Sequence, residues 1–153
     1  MKTMRIGDLV VATGAEYRRG TLDYYFTDKK VSLRPDWQLT KLLMDSAMKE
    51  GIEYYAGRVF SSDAFYIEDP DFISRSTREG YVAVQMECAT LFGLGTLRDV
   101  KAACVLLVSD NLPRGQLMAD ADALYERTLN VGRLTLKSLG KLQMLRKSTG
   151  KAS

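Results

Sequence analysis

Apolar positions along the chain fall into two patterns, short continuous runs and longer stretches with helical spacing. Short β-branched runs bounded by glycine or polar residues are typical of buried strands, whereas apolar residues three and four positions apart indicate helices. We therefore predict strands at residues 8–13 (DLVVAT), 54–60 (YYAGRVF), 81–85 and 101–108 (KAACVLLV). We predict helices from Asp36 to Gly51, at residues 71–79 and 87–98, and at about 119–142. This alternation favours an α/β fold with a layered sheet.

Capping residues and charge mark where these elements begin and end. Asp36 is a candidate N-cap and Gly51 a candidate C-cap of the first helix. Residues 16–33 mix charged and aromatic side chains without a period, so we expect a long loop with a short extended piece at residues 24–26. The long helix carries a basic tail at residues 146–153, and its predicted buried stripe consists of Leu124, Thr128, Val131, Leu139 and Leu142.

Composition narrows the class of protein. With 153 residues, of which 46% are hydrophobic and 27% charged, residues 1–153 are expected to form one domain. The sequence has no histidine, which excludes imidazole as a base or a metal ligand, so any proton transfer falls to Asp, Glu, Lys, Tyr or Cys. The spacing of Cys88 and Cys104 matches neither a redox pair nor a zinc site, and we expect buried thiols in a reduced, cytoplasmic protein.

Charge and hydropathy exclude two kinds of partner. The net charge of +3 comes largely from the end of the chain, and no basic face interleaved with aromatic residues accompanies it, so we expect no nucleic-acid partner. The apolar run at residues 9–12 is too short for a membrane span or a signal-peptide core, so we expect no membrane association. We also expect no metal and no organic cofactor.

Polar side chains follow three of the predicted strands. They lie at residues 62–66 (SDAFY), 85–87 (QME) and 109–111 (SDN). If these strand ends converged, they would form a pocket with an apolar wall and two carboxylates, one to hold vicinal hydroxyls and one to donate a proton. That arrangement suits a nucleoside. The alternative is that Asp63, Glu87 and Asp110 each only satisfy a strand end or a helix cap.

Three ordered motifs resemble the nucleoside phosphorylase family, which includes purine nucleoside phosphorylases, uridine phosphorylases and archaeal methylthioadenosine-type phosphorylases. They are SSDAFY (61–66), AVQMECATLF (83–92) and VLLVSDN (105–111), and the closest resemblance is to the archaeal-type purine or methylthioadenosine enzymes. The resemblance implies a three-layer fold, in which a mixed sheet is flanked by helices. The family's first strands and its phosphate loop find no match, so we expect the chain to be the carboxyl-terminal part of the family domain.

The resemblance also implies roles for individual residues. Met86 and Glu87 would bind the ribose, and Phe65 would stack against the base. Ser109 and Asp110 would bind the base.

Within that pair, Asp110 would act as the acid, and Arg127 is the candidate to pair with it. Many members carry an acidic residue where this chain has Gln85. Uridine-specific members carry Gln and Arg where this chain has Asp69 and Asp71, which favours a purine.

The activity implied is reversible phosphorolysis of a purine nucleoside to free base and ribose 1-phosphate, with inorganic phosphate as co-substrate. The phosphate-binding residues are unknown and expected in the unmatched amino-terminal part. The family forms homo-oligomers, including hexamers, in which neighbouring subunits complete the site. Two alternatives remain open: hydrolysis, as in the related methylthioadenosine nucleosidases, and a non-catalytic remnant that binds nucleosides weakly.

Overall fold

The computed structural model describes residues 4–26, 31–64, 69, 71–116 and 119–149, with side chains described up to residue 142. The strands are β1 (Leu9–Glu16), β2 (Tyr54–Ser61), β3 (Ala83–Gln85) and β4 (Val105–Leu107). The helices are α1 (Trp37–Lys49), α2 (Phe72–Arg78), α3 (Cys88–Leu97) and α4 (Ala121–Thr149). Short 3₁₀ turns lie at Thr21–Tyr24 and Leu112–Arg114. The alternation of strands and helices confirms the predicted α/β class.

The strands form one mixed sheet in the order β3-β2-β1-β4. β1 pairs in parallel with β2, and β2 pairs in parallel with β3. β4 runs antiparallel to β1, with Leu9 opposite Leu107 and Val11 opposite Val105. The mixed sheet expected from the family resemblance is therefore present, with β4 as its antiparallel strand.

Helices cover both faces of this sheet. On one face, Val10 and Ala12 of β1 pack with Val59 of β2 against Cys88 and Phe92 of α3. On the other face, Leu9 packs against Ala47 of α1 and Leu134 of α4. Successive residues of a strand point to opposite faces, so an apolar run such as DLVVAT indicates a strand that is covered on both sides.

Local capping fixes the first helix as predicted. The Asp36 carboxylate accepts a hydrogen bond from the Leu39 amide at 2.9 Å, and Leu39, Leu43 and Ala47 are buried one turn apart. Gly51 has a φ of 68°, which a side chain rarely adopts, and the chain turns there toward β2.

The segment between β1 and α1 differs from the prediction. The extended piece expected at residues 24–26 is absent, and Thr21–Tyr24 form a 3₁₀ turn instead. The turn buries Leu22, which is 1% exposed, against the core. The conformation here is associated with the burial of one leucine. A single apolar residue produces no periodic pattern, so the sequence did not indicate this turn.

Two element boundaries also differ. Regular pairing of β4 covers only Val105–Leu107 of the predicted 101–108, although the carbonyl groups of Ala102 and Cys104 still accept hydrogen bonds from Asp36 and Ala12.

The last helix starts at Ala121 and continues to Thr149, so residues 146–149 of the predicted tail are helical. Thr128 and Leu139 of the predicted stripe are exposed, and Leu134 and Ser138 are buried instead. Leu134, Ser138 and Leu142 are four residues apart, the spacing of one helix face.

In the part of the chain described, no helix is long and apolar enough to cross a membrane.

Candidate active site

The turn between β3 and α3 carries Met86 and Glu87, both of which are exposed. The side-chain oxygen of Gln85 accepts hydrogen bonds from the amides of Glu87 at 2.5 Å and Cys88 at 2.6 Å. Among the described residues, the Glu87 carboxylate accepts a hydrogen bond from its own turn, from the Met86 amide at 3.1 Å. Among the described residues no cation forms a salt bridge with it. The turn therefore presents a carboxylate toward solvent.

A buried serine joins this turn to the neighbouring strand. Ser61, at the end of β2, is 4% exposed, and its hydroxyl oxygen accepts hydrogen bonds from Gln85 Nε2 at 2.5 Å and the Ala89 amide at 2.9 Å. The Ser62 amide donates to the Gln85 carbonyl at 2.9 Å. The ends of β2 and β3 and the start of α3 thus form one hydrogen-bonded unit.

Beyond β2 the chain is held by Asp63. Its carboxylate accepts hydrogen bonds from the amide and the hydroxyl of Thr21, at 2.7 and 2.9 Å. Gly20 leaves room for this contact, because a Cβ there would lie 2.4 Å from Asp63 Oδ2. Phe65, the predicted base-stacking residue, lies outside the described residues.

Ser109 and Asp110 follow β4 and are half-buried. The Ser109 hydroxyl donates to Asp110 Oδ2 at 3.3 Å, and the Ser109 carbonyl accepts a hydrogen bond from the Ala119 amide at 2.8 Å. The side-chain amide of Asn111 donates to the Met4 carbonyl at 2.7 Å. The segment that carries Asp110 is therefore anchored against the residues that precede β1.

Arg127 lies beside the same segment. Its Nη1 donates to the Gly7 carbonyl at 2.9 Å, and the Gly7 amide in turn donates to the Val108 carbonyl at 2.8 Å. Among the described contacts, Arg127 forms no ion pair with Asp110. Arg127 thus contacts the main chain next to β4 rather than the carboxylate with which it was expected to pair.

The three strand ends do not share one edge of the sheet. Because β4 is antiparallel to β1, Asp110 follows it at the amino-terminal end of β1, whereas Glu87 follows the carboxyl-terminal end of β3. Cys88 Sγ, at the start of α3, lies 3.0 Å from Cys104 Sγ on the chain entering β4, which is the end of β4 opposite to Asp110. The directions of β3 and β4 therefore do not by themselves bring Glu87 and Asp110 together.

Both cysteines are free thiols, and Cys88 is fully buried. The hydrogen bond with Cys104, together with burial, raises the pKa of the Cys88 thiol, and the negative charge of nearby Glu87 acts in the same direction. Cys88 therefore stays protonated.

Among the described residues no three Cys, Asp or Glu side chains lie close enough together to hold a metal ion.

A charged pocket of about 330 Å³ at the ends of β1 and β2 was not predicted. The Glu16 carboxylate forms an ion pair with Arg58 and accepts a hydrogen bond from the Tyr81 hydroxyl. Arg18 forms an ion pair with Glu79 at 3.0 Å. Burial and the bond to Glu16 raise the pKa of Tyr81 to about 12. The charges in this pocket are already matched with one another. The sequence feature that could have indicated this pocket is the charged Arg58 within the otherwise apolar run YYAGRVF.

An apolar groove of about 460 Å³ lies between α1, α3 and α4. Six leucines line it, together with other residues that include Arg98 and Lys101. The leucines are Leu39, Leu42, Leu43, Leu91, Leu94 and Leu139. The spacing of apolar residues predicted an apolar face on each helix. It did not predict that a groove remains between the three helices.

Comparison with known proteins places this geometry in a family. The model of the phosphorylase superfamily matches residues 2–142. A DeoD-type purine nucleoside phosphorylase from Shewanella denitrificans is 32% identical over 113 residues, which are 74% of this chain and 48% of that protein. A guanosine phosphorylase from Halorubrum lacusprofundi is 33% identical over 120 residues, 78% of this chain and 49% of that protein. The chain thus spans about half the length of the curated relatives it matches.

A solved structure supports the same fold. The purine nucleoside phosphorylase from Toxoplasma gondii in complex with immucillin-H superposes with a TM-score of 0.79 at 22% identity. The superposition covers 94% of this chain and 59% of that one. The resemblance carried by the three sequence motifs is confirmed, and the chain belongs to the phosphorylase superfamily.

Proposed function

We propose that this chain provides the ribose- and base-binding half of a purine nucleoside phosphorylase. The observation that carries the proposal is the exposed Glu87 carboxylate on a turn held by Gln85 and Ser61. Two matched relatives are by name a purine nucleoside phosphorylase and a guanosine phosphorylase, which supports a purine substrate. The proposed assembly is a cytoplasmic homo-oligomer, as the family resemblance implies.

Glu87 is the proposed ligand of the sugar. A carboxylate has two oxygens and can accept a hydrogen bond from each of two vicinal hydroxyls, here the 2′ and 3′ hydroxyls of ribose. Such charge-assisted bonds contribute roughly 1.5–3 kcal/mol each. Met86, 37% exposed beside it, offers an apolar surface to the sugar ring.

Asp110 is the proposed acid. In phosphorolysis the bond between C1′ and the purine nitrogen breaks, and a phosphate oxygen forms the new bond to C1′. The purine departs with the electron pair of the broken bond and takes up a proton at N7, which Asp110 supplies. The Ser109 hydroxyl, 3.3 Å from the carboxylate, keeps it oriented. A proton placed at the base stabilises the developing charge on the leaving group.

Phe65 is the proposed stacking partner of the base, and Arg127 supports the Asp110 segment through the Gly7 carbonyl. The phosphate-binding residues are not among those carried by the three motifs. Inorganic phosphate is the proposed second substrate, and the proposal uses no metal or organic cofactor.

Calorimetry on the chain with inosine, guanosine, uridine and hypoxanthine tests the proposal. Purine ribosides should bind, and uridine should bind much more weakly. Release of hypoxanthine from inosine that depends on added phosphate would support phosphorolysis, whereas phosphate-independent release would indicate hydrolysis. Equal binding of uridine and inosine, or no binding of any riboside, would contradict the proposal.

A further inference from the structure

Gln85 presents both an acceptor and a donor to the groups around the β3–α3 turn. Its Oε1 faces two donors, the amides of Glu87 and Cys88. Its Nε2 faces two acceptors, the Ser61 hydroxyl at 2.5 Å and the Phe60 carbonyl at 3.3 Å. These four neighbours assign the orientation of the side-chain amide, since the reverse orientation would place like groups together.

The amides of Glu87, Cys88 and Ala89 belong to the first turn of α3, where backbone donors lack partners within the helix. An aspartate in the residue before a helix commonly accepts a hydrogen bond from the second or third amide of that helix. Asp36 does so in this protein, where it accepts from Leu39 at the start of α1. Glu87 precedes α3 in the same way, yet its side chain accepts no hydrogen bond from the helix.

We propose that Gln85 is a positioning residue for sugar binding, because its bonds to the β3–α3 turn, together with that of Ser61, hold the backbone that carries the Glu87 carboxylate. Gln85 accepts from the first two amides, and Ser61 accepts from the third at 2.9 Å. The Glu87 carboxylate is thereby carried on a turn whose backbone is fixed at three consecutive amides. The inference rests on the proposed function of Glu87, but the conformational part of it can be measured without any ligand.

The effect of a substitution at position 85 should depend on whether the new side chain can accept hydrogen bonds from the Glu87 and Cys88 amides. Gln85→Met keeps the length but removes both polar ends. Gln85→Glu keeps the acceptor for the two amides, and the Ser61 hydroxyl can rotate to donate to its second oxygen. The carboxylate variant should therefore retain the turn that the methionine variant loses.

Amide hydrogen exchange is the first test. In Gln85→Met, exchange at Glu87 and Cys88 should rise about tenfold, the effect of losing one net hydrogen bond. Gln85→Glu should stay within about threefold of the parent. Gln38→Met is the matched control, because Gln38 is exposed in α1 and, within the described part of the chain, its Oε1 accepts from Lys101 at 3.1 Å. Unchanged exchange at Glu87 and Cys88 in Gln85→Met would overturn the proposal.

Ligand binding is the second test. Inosine affinity should fall about tenfold in Gln85→Met, whereas hypoxanthine affinity should stay within about twofold, because only the sugar contact is disturbed. Equal weakening of both ligands would mean that Gln85 only stabilises the fold, and would overturn the proposal. If the parent protein binds neither ligand, the proposed function fails, and the exchange experiment alone decides whether Gln85 holds the turn.

A second variant covers the case in which Gln85→Met does not fold. Ser61→Ala removes the acceptor of Gln85 Nε2 and of the Ala89 amide while leaving a small side chain in the core. Exchange at Ala89 should rise most, and exchange at Glu87 and Cys88 should rise with it. A rise confined to Ala89 would show that Gln85 does not depend on Ser61 and would contradict the proposed unit.

Discussion

The Arg127 side chain lies directly against Gly7. Arg127 Nη1 donates to the Gly7 carbonyl at 2.9 Å, and a Cβ on Gly7 would lie 2.7 Å from Arg127 Cδ. Gly7 also has a φ of 88°, a conformation that side chains rarely adopt. This contact joins α4 to the chain that pairs with the end of β4.

Gly7→Ala should lower the free energy of unfolding by about 1–3 kcal/mol, since it puts a side chain at a φ of 88° and displaces the Arg127 side chain from its contact with Gly7. Chemical denaturation measures the change. Gly132→Ala is the control, because a Cβ added to Gly132 in α4 would meet nothing within 4 Å, and it should stabilise the helix by roughly 0.5–1 kcal/mol. Equal effects of the two substitutions would show that the Gly7 contact is unimportant.

Glu87→Gln should weaken inosine binding by at least tenfold, because a neutral amide loses the charge assistance worth roughly 1.5–3 kcal/mol per bond. Hypoxanthine, which has no sugar, should bind as before. Glu126→Gln, at an exposed position of α4, changes the net charge equally and should leave both affinities unchanged. Calorimetry in which base and riboside weaken together would assign Glu87 a structural role instead.

Asp110→Asn should lower phosphate-dependent turnover of inosine by roughly 10²–10⁴-fold, the usual contribution of a positioned acid. The amide keeps the shape and the contact with Ser109, so riboside binding should persist. Steady-state kinetics beside calorimetry separates the two effects. Unchanged turnover would remove Asp110 from the acid role and leave it as a polar residue at a strand end.

Tyr81 should make stability fall at alkaline pH. Its pKa is raised to about 12 in the folded protein from an ordinary value of 10.0, so the folded state favours the neutral phenol. The associated stability is fully present below pH 10 and is lost as the pH rises to about 12, by at most about 1.4 kcal/mol per unit.

Denaturation between these pH values should show a shallower decline for Tyr81→Phe than for the parent. Tyr125→Phe, at a tyrosine that is 59% exposed, should leave the decline unchanged. A Tyr81→Phe variant with the parent's pH dependence would show that Tyr81 does not cause it.

Cys88 should resist alkylation in the folded protein. Burial and the bond to Cys104 raise the pKa of its thiol, so little of the reactive thiolate forms. Mass spectrometry after iodoacetamide treatment should find Cys88 labelled only at the rate of global unfolding. Rapid labelling of Cys88 at neutral pH in the native protein would contradict its burial, and full labelling in denaturant is the control.

Structural features that depend on residues close together in the sequence could be predicted. Features that depend on residues far apart in the sequence could not. The start of α1 follows from Asp36 and its own first turn, and the motifs around Glu87 and Asp110 identified the family. Strand direction, in contrast, leaves no mark on an apolar run, so the antiparallel β4 was not foreseen. The contact between Ser61 and Gln85 joins residues 24 positions apart, and only the register of β2 and β3 brings them together.

The pairing of β1 with β4 also has a consequence for synthesis of the chain. Leu9 pairs with Leu107, so at about 5–20 residues per second β4 leaves the ribosome roughly 5–20 seconds after β1. Val10 and Val11 are fully buried in the folded protein but have an open strand edge beside them throughout that interval. Until β4 pairs with it, this edge of β1 is open in the nascent chain, which is therefore the form most exposed to association through an unpaired apolar strand.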